Sequence, residues 1–189
     1  MSKIAVWCRH KDDNVIGIGA NIPWHVSSDF KRFRRITQKQ NLVAGETTYE
    51  TFPNRTLPNR KIYVLTLNKD YQVSDVNNHF VINDITYFNN FTSNLFIVGG
   101  ATIYKLFMTT DEKLLPDIIV DSEYLGDLPT NLEGKHIDIS PCVEIMNEKY
   151  QQFSKDYLLD NIRTRVFVKK ETEIDLDEFN RIVNAIESE

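Results

Sequence analysis

Apolar residues fall in short continuous runs separated by polar stretches along most of the chain. Ile4-Ala5-Val6-Trp7-Cys8, Leu42-Val43-Ala44, Ile62-Tyr63-Val64-Leu65, Phe80-Val81-Ile82, Leu95-Phe96-Ile97-Val98 and Ile118-Ile119-Val120 have the length and β-branched content of strands buried on both faces. Later, Gln151 to Leu158 and Thr164 to Val168 bracket Asp160-Asn161, which predicts two strands joined as a hairpin. Between the earlier runs the pattern lengthens to a helical period. Ser27 and Ser28 are placed to cap a helix over Asp29 to Ile36, and short helices are predicted over 47–52 and 102–108. Residues 174–187 carry one apolar stripe (Leu176, Phe179, Ile182, Val183, Ile186) behind Asp175 and Glu178 at capping-box spacing. Strands alternating with helices define an α/β fold: a central, mostly parallel eight-stranded sheet, an antiparallel C-terminal edge, about four flanking helices and one extra helix at the end.

At 189 residues the chain suits one domain with an appendage, here 1–170 followed by an amphipathic helical extension over 171–189. A net charge of −5 argues against general binding to nucleic acid or to an anionic membrane. No apolar run approaches a membrane span. The N-terminal run is too short for a secretion signal, so a cytoplasmic location is expected. Cys8 and Cys142 form no C-x-x-C pair, and the four histidines are scattered. Free thiols are therefore expected, and no metal.

Candidate chemistry gathers at glycines and at one acid. Of the seven glycines, Gly45 and the pair Gly99-Gly100 each end an apolar strand and precede a helix. In an open α/β sheet that is where backbone N–H groups meet a phosphate, although a glycine there also serves a plain tight turn. Neither site is a G-x-G-x-x-G or a Walker A motif. Asp29, Phe33 and Thr37 share one helix face. Asp29 either complements the positive end of its helix or is an acid in an apolar pocket.

Four blocks bear on that choice. The segment from Val15 to Phe33, including Asn21-Ile22-Pro23-Trp24-His25-Val26-Ser27-Ser28-Asp29, resembles the signature segment of dihydrofolate reductases. In that family's order follow Gly45-Glu46-Thr47-Thr48-Tyr49-Glu50-Thr51-Phe52, Leu57-Pro58-Asn59-Arg60-Lys61 and Ile97-Val98-Gly99-Gly100-Ala101-Thr102-Ile103-Tyr104. The likeness covers residues 3–170. It implies reduction of 7,8-dihydrofolate to tetrahydrofolate with hydride from NADPH, with dihydrofolate and antifolates as small-molecule partners. Asp29, Trp24 and Ile22 are the catalytic positions it implies, Asp29 as the acid that favours protonation at N5. Cys8, Phe33, Phe52, Leu57 and Arg60 match substrate positions, Arg60 as the carboxylate clamp. Ile16, Gly17, Ile22, Cys8, Gly45, Glu46, Thr47, Thr48, Thr66, Gly99, Gly100, Ala101, Thr102, Ile103 and Tyr104 match cofactor positions, with a cis peptide between Gly99 and Gly100.

The chain also departs from the family. Glu46 stands where an arginine or lysine is common, Thr102 where another arginine is frequent, and Thr66-Leu67 where a polar pair helps hold the 2′-phosphate. No threonine occupies 119–122, so Asp121 or Ser122 takes the place of the family's threonine beside the pocket acid. A weakened preference for NADPH over NADH follows, with Lys69 or Arg55 as relocated cations. Two other readings stand: a same-fold reductase of another pterin or pyrimidine, and a non-catalytic folate-binding or structural homologue. A monomer, or a weak homodimer through the C-terminal helix, is expected.

Overall fold

The computed structural model describes residues 1–188. Its central sheet is built from β1 (Lys3–His10), β3 (Asn41–Gly45), β4 (Lys61–Leu65), β5 (His79–Ile82), β6 (Leu95–Ile97), β7 (Ile118–Tyr124), β9 (Tyr150–Gln152), β10 (Tyr157–Leu159) and β11 (Ile162–Lys169). The order is β10-β11-β7-β1-β6-β3-β4-β5, with β9 also paired to β11. From β7 to β5 every neighbour pair is parallel; β11 runs antiparallel to β7, β9 and β10. The predicted sheet and its antiparallel edge are therefore present, with one strand more than expected. The difference lies in 151–158, which is two short strands rather than one. Asp160 and Asn161 turn the β10–β11 hairpin with φ of 51° and 63°, a conformation that favours these residue types.

Five helices flank the sheet: α1 (Ser27–Thr37), α2 (Glu46–Thr51), α3 (Ala101–Thr109), α4 (Ser140–Lys149) and α5 (Leu176–Glu187). A two-stranded sheet of β2 (Val15–Ile18) and β8 (His136–Asp138) stands apart. The expected serine cap of α1 is not made. The helix starts at Ser27 after Val26, without a side-chain cap, and the Ser28 hydroxyl is buried without a partner. The predicted start of α5 holds, because Asp175 accepts from the Glu178 N–H at 3.1 Å.

Two apolar layers sandwich the sheet. One gathers Trp7, Ile97, Tyr104 and Phe107 with α3 and α4. The other gathers Val6, Ala44, Leu57 and Val120 with α1 and α5. Phe179, Ile182 and Ile186 of α5 are buried in that second layer. Arg181 donates to the Ile36 carbonyl at 2.9 Å and lies over the Phe96 ring, while Arg35 donates to the Ala185 carbonyl at 2.8 Å. Most of the apolar stripe thus packs against the chain's own body, while Leu176 at its start is 56 % exposed.

Candidate active site

Strand register sets the site out as a row across the carboxyl ends of the parallel strands. Thr164 pairs with Ser122 and Ser122 with Cys8. Ala5 and Val43 both pair with Ile97, and Gly45 with Leu65. β1, β6, β3 and β4 are neighbours in the sheet, and Cys8, the pair Gly99-Gly100, Glu46 and Thr66 lie near or just beyond their carboxyl ends. Directly paired residues project to the same side of a sheet. Cys8, Ser122 and Thr164 therefore share the α1 side.

At one end of the row is the acid. Asp29 lies in the first turn of α1, beside Cys8 and one turn from Arg32. Desolvation raises its carboxyl to about 6, with the Arg32 charge and the Cys8 thiol opposing. Removal from water disfavours the charged form, so this is an acid able to hold a proton near neutrality. Burial likewise pushes the Cys8 thiol well above its usual range, and Asp29 and Asp121 reinforce the shift. Arg32, which the sequence reading did not single out, is 2 % exposed. Its guanidinium donates to the Thr164 hydroxyl, which shares a 2.7 Å hydrogen bond with Ser122.

The choice between Asp121 and Ser122 is settled by the pleat. Ser122 faces the acid's side of the sheet. Asp121 faces the other layer, where it accepts from Trp7 Nε1 at 2.7 Å, Arg9 Nε at 2.8 Å and Arg165 at 2.9 Å. Glu123 joins it, accepting from Arg9, Arg163 and Arg165. Three arginines and two acids thus form one ion cluster beneath the row, with Arg9, Asp121 and Glu123 buried and Arg163 and Arg165 at its partly exposed rim.

The segment leading into α1 is anchored at its base only. β2 pairs with β8, Gly19 donates to the Lys135 carbonyl at 2.9 Å, and a Cβ on Gly134 would meet Gly19 N at 3.0 Å. Beyond Gly19, Ile22 is 44 % exposed. Trp24 is buried, stacked on Tyr124 at 5.0 Å. Its indole nitrogen has no hydrogen-bond partner of normal geometry and lies beside the Cys8 sulfur. Ile16 packs at the edge of the α3 layer, and a Cβ on Gly17 would lie 3.4 Å from the Asn21 carbonyl. Neither β8 nor its partner carried a sequence signal strong enough to predict this anchor.

The next positions in the row form a cradle. The Gly99–Gly100 peptide is cis. Gly45 N donates to the Gly99 carbonyl at 2.8 Å, tying the two strand–helix turns together. A Cβ on Gly100 would meet the Thr48 hydroxyl at 3.3 Å, one on Gly45 would meet Ile103 at 3.0 Å, and one on Gly99 would meet the Tyr104 ring. α3 opens at Ala101 and Thr102 with no side-chain cap, so its first N–H groups are open to an anion. Tyr104 is held by a 2.6 Å hydrogen bond to the Val6 carbonyl and by its edge contact with Trp7. Thr47 is exposed in the first turn of α2. Glu46 accepts from the Thr66 hydroxyl at 2.7 Å.

On the far side of α1 a cleft of about 390 Å³ lies between Arg34 and Gln38 and the loop carrying Pro53, Leu57, Pro58 and Arg60. Leu57 is buried, with Phe33 and Phe52 packed beside it. Arg60 is held by its Nη atoms on the Pro58 and Arg34 carbonyls and Thr37 Oγ1, at 2.6, 2.8 and 3.3 Å. Its Nε is buried and unpartnered. Burial, reinforced by the Arg34 charge, lowers its pKa. A cation in this condition is stabilised by an arriving carboxylate.

The dihydrofolate reductase family model matches residues 3–141, and the chain belongs to that family. Among similar proteins, a dihydrofolate reductase of Mycoplasma genitalium is 28 % identical over 162 residues, covering 82 % of this chain and 95 % of its own length. A type 6 dihydrofolate reductase of Proteus mirabilis is 35 % identical over 105 residues, covering 54 % and 66 %. The structure of dihydrofolate reductase from Enterococcus faecalis, complexed with NADP(H) and RAB-propyl, superposes with a TM-score of 0.68 at 22 % identity, over 90 % of this chain and 97 % of that one. This last likeness speaks to the fold.

Proposed function

We infer that the chain reduces 7,8-dihydrofolate to tetrahydrofolate with NADPH. The observation that carries this reading is the row of strand ends itself. A protonatable acid, Asp29, stands beside β1, one strand spacing from a phosphate cradle on β6 and α3. The glycines where a Cβ would be tight, the uncapped start of α3 and the Thr48 hydroxyl fit a pyrophosphate. When bound, the cofactor supplies the hydride. Gly45, Thr48, Gly99, Gly100, Ala101, Thr102 and Ile103 hold its phosphates, and Ile16, Gly17, Ile22, Cys8 and Tyr104 surround the nicotinamide.

The chain's own groups do the rest. Asp29 binds the amino-pyrimidine edge of the pterin and favours protonation at N5. Its low-dielectric setting strengthens its pull on the developing cation. Trp24 positions a water beside the acid, and the segment from Gly17 to Trp24 closes over the site, excluding bulk water. Phe33, Phe52 and Leu57 pack the pterin and aminobenzoate. Arg60, which lines the cleft, takes the α-carboxylate through its guanidinium. That buried arginine is the feature favouring a folate over a pyrimidine lacking a glutamate tail. The direct test is loss of absorbance at 340 nm with dihydrofolate and NADPH, stopped by an antifolate. Saturable binding of both ligands without turnover would instead support a non-catalytic folate binder.

A further inference from the structure

We propose that the adenosine end of the site is built for a ribose with a free 2′-hydroxyl, so that NADH is taken as readily as NADPH. The proposal rests on the reading of the row as a nicotinamide dinucleotide site. The direction in which a dinucleotide lies follows from the sheet. Its reacting end must face Cys8 and Asp29 at β1, and its phosphates the cradle on β6 and α3. The adenosine half then runs outward over the ends of β3 and β4, where Glu46 and Thr66 stand. From β1 to β4 is three strand spacings, about 14 Å, a span an extended dinucleotide covers.

At that end the chain presents a carboxylate. Glu46 is fixed by the Thr66 hydroxyl at 2.7 Å, and that hydroxyl also accepts from the Asn68 N–H at 3.1 Å. The pair is therefore built, not a loose side chain on a loop. A carboxylate on the strand end next to a phosphate cradle is the arrangement that accepts a ribose hydroxyl. The same carboxylate repels a phosphate carried on that hydroxyl.

No nearby cation reverses the sign. Arg55 is already engaged: it pairs with Glu50 at 3.3 Å, donates to the Tyr71 hydroxyl and the Gln72 carbonyl, and lies over the Tyr49 and Tyr71 rings. Thr102 is exposed in the first turn of α3 and brings no charge. Lys69 is exposed in the turn after Thr66, where a hydrated surface pair changes affinity by less than about fivefold.

The experiment is a binding titration of the full chain with NADH and with NADPH, without folate, followed by quenching of its tryptophan fluorescence. The variants Glu46→Arg and Glu46→Gln are measured alongside. A parent Kd for NADPH no more than fivefold below that for NADH supports the proposal. Glu46→Arg should then tighten NADPH about tenfold or more with little change for NADH. Glu46→Gln, which keeps the partner of Thr66, should shift the ratio the same way by less. A parent that binds NADPH more than fivefold tighter overturns the inference and leaves the reductase reading intact. Variants that leave the ratio unmoved overturn the role of Glu46. Binding of neither dinucleotide overturns both readings together.

Discussion

Arg32 lies one helical turn beyond Asp29, and its guanidinium donates across to the Thr164 hydroxyl on β11, so the acid of the pocket shares its buried corner with a fixed cation. Burial raises the Asp29 carboxyl to about 6, and Arg32 is the largest opposing influence. On the proposed reading, the balance between them should set the pH range of the reaction.

Asp29→Asn should separate stability from activity. The folded chain holds the Asp29 proton more tightly than the unfolded chain does. The stabilisation from this group is therefore complete below about pH 4 and is lost as pH rises through about 6. At pH 7 the charged, desolvated carboxylate is a burden, and Asp29→Asn should stabilise the fold by about 1–3 kcal/mol. That gain should vanish at pH 4. Hydride transfer should nonetheless fall steeply at neutral pH and recover in part as pH falls and substrate arrives protonated. Urea melts at both pH values and single-turnover rates check each half. An Asn variant as active as the parent at pH 7 removes Asp29 from the chemistry.

Arg32→Leu takes away the cation that opposes the rise. The apparent pKa governing kcat/KM should move above 6, extending activity to higher pH. A pH profile that superposes on the parent's would show that the two charges do not communicate.

Arg60→Leu should raise KM for dihydrofolate by about tenfold or more, the worth of one charge-assisted pair. For a reduced pterin without a glutamate tail, kcat/KM should hardly change. Equal losses on both substrates would mean that Arg60 braces the loop and does not clamp a carboxylate.

Ile182 is fully buried between α5 and α1. Ile182→Ala should cost about 2–4 kcal/mol in a urea melt. It should also weaken folate binding more than dinucleotide binding, because the helix it supports carries Asp29, Phe33 and Arg34. An equal effect on both ligands would make α5 a general brace.

Long continuous runs made β1, β4, β6 and β7 readable, and an unbroken apolar stripe did the same for α5. The β10–β11 turn was legible because Asp160-Asn161 suits positive φ. What escaped depends on partners distant in sequence. β2 and β8 are four and three residues long and are held by each other, by the approach of Gly134 to Gly19 and by the burial of Val15 and Ile18. α4 begins with Pro141 near its start and buries just Cys142, Val143 and Met146, too weak a stripe to stand out. Ser122 and Asp121 are chemically comparable candidates until the register of β7 against β1 assigns them to opposite faces. Arg32 read as one more surface arginine, since nothing local predicts a hydroxyl on β11 waiting for it.

The cluster of Arg9, Arg163, Arg165, Asp121 and Glu123 constrains the history open to this chain. Removing one of its buried members, Arg9, Asp121 or Glu123, strands a charge, at a cost of about 3–5 kcal/mol, against a total stability of about 5–15 kcal/mol for a typical domain. Single substitutions there start from a deep fitness valley. Three strands, β1, β7 and β11, hold these five positions in one vocabulary, so a descendant inherits the whole set or replaces it in concert.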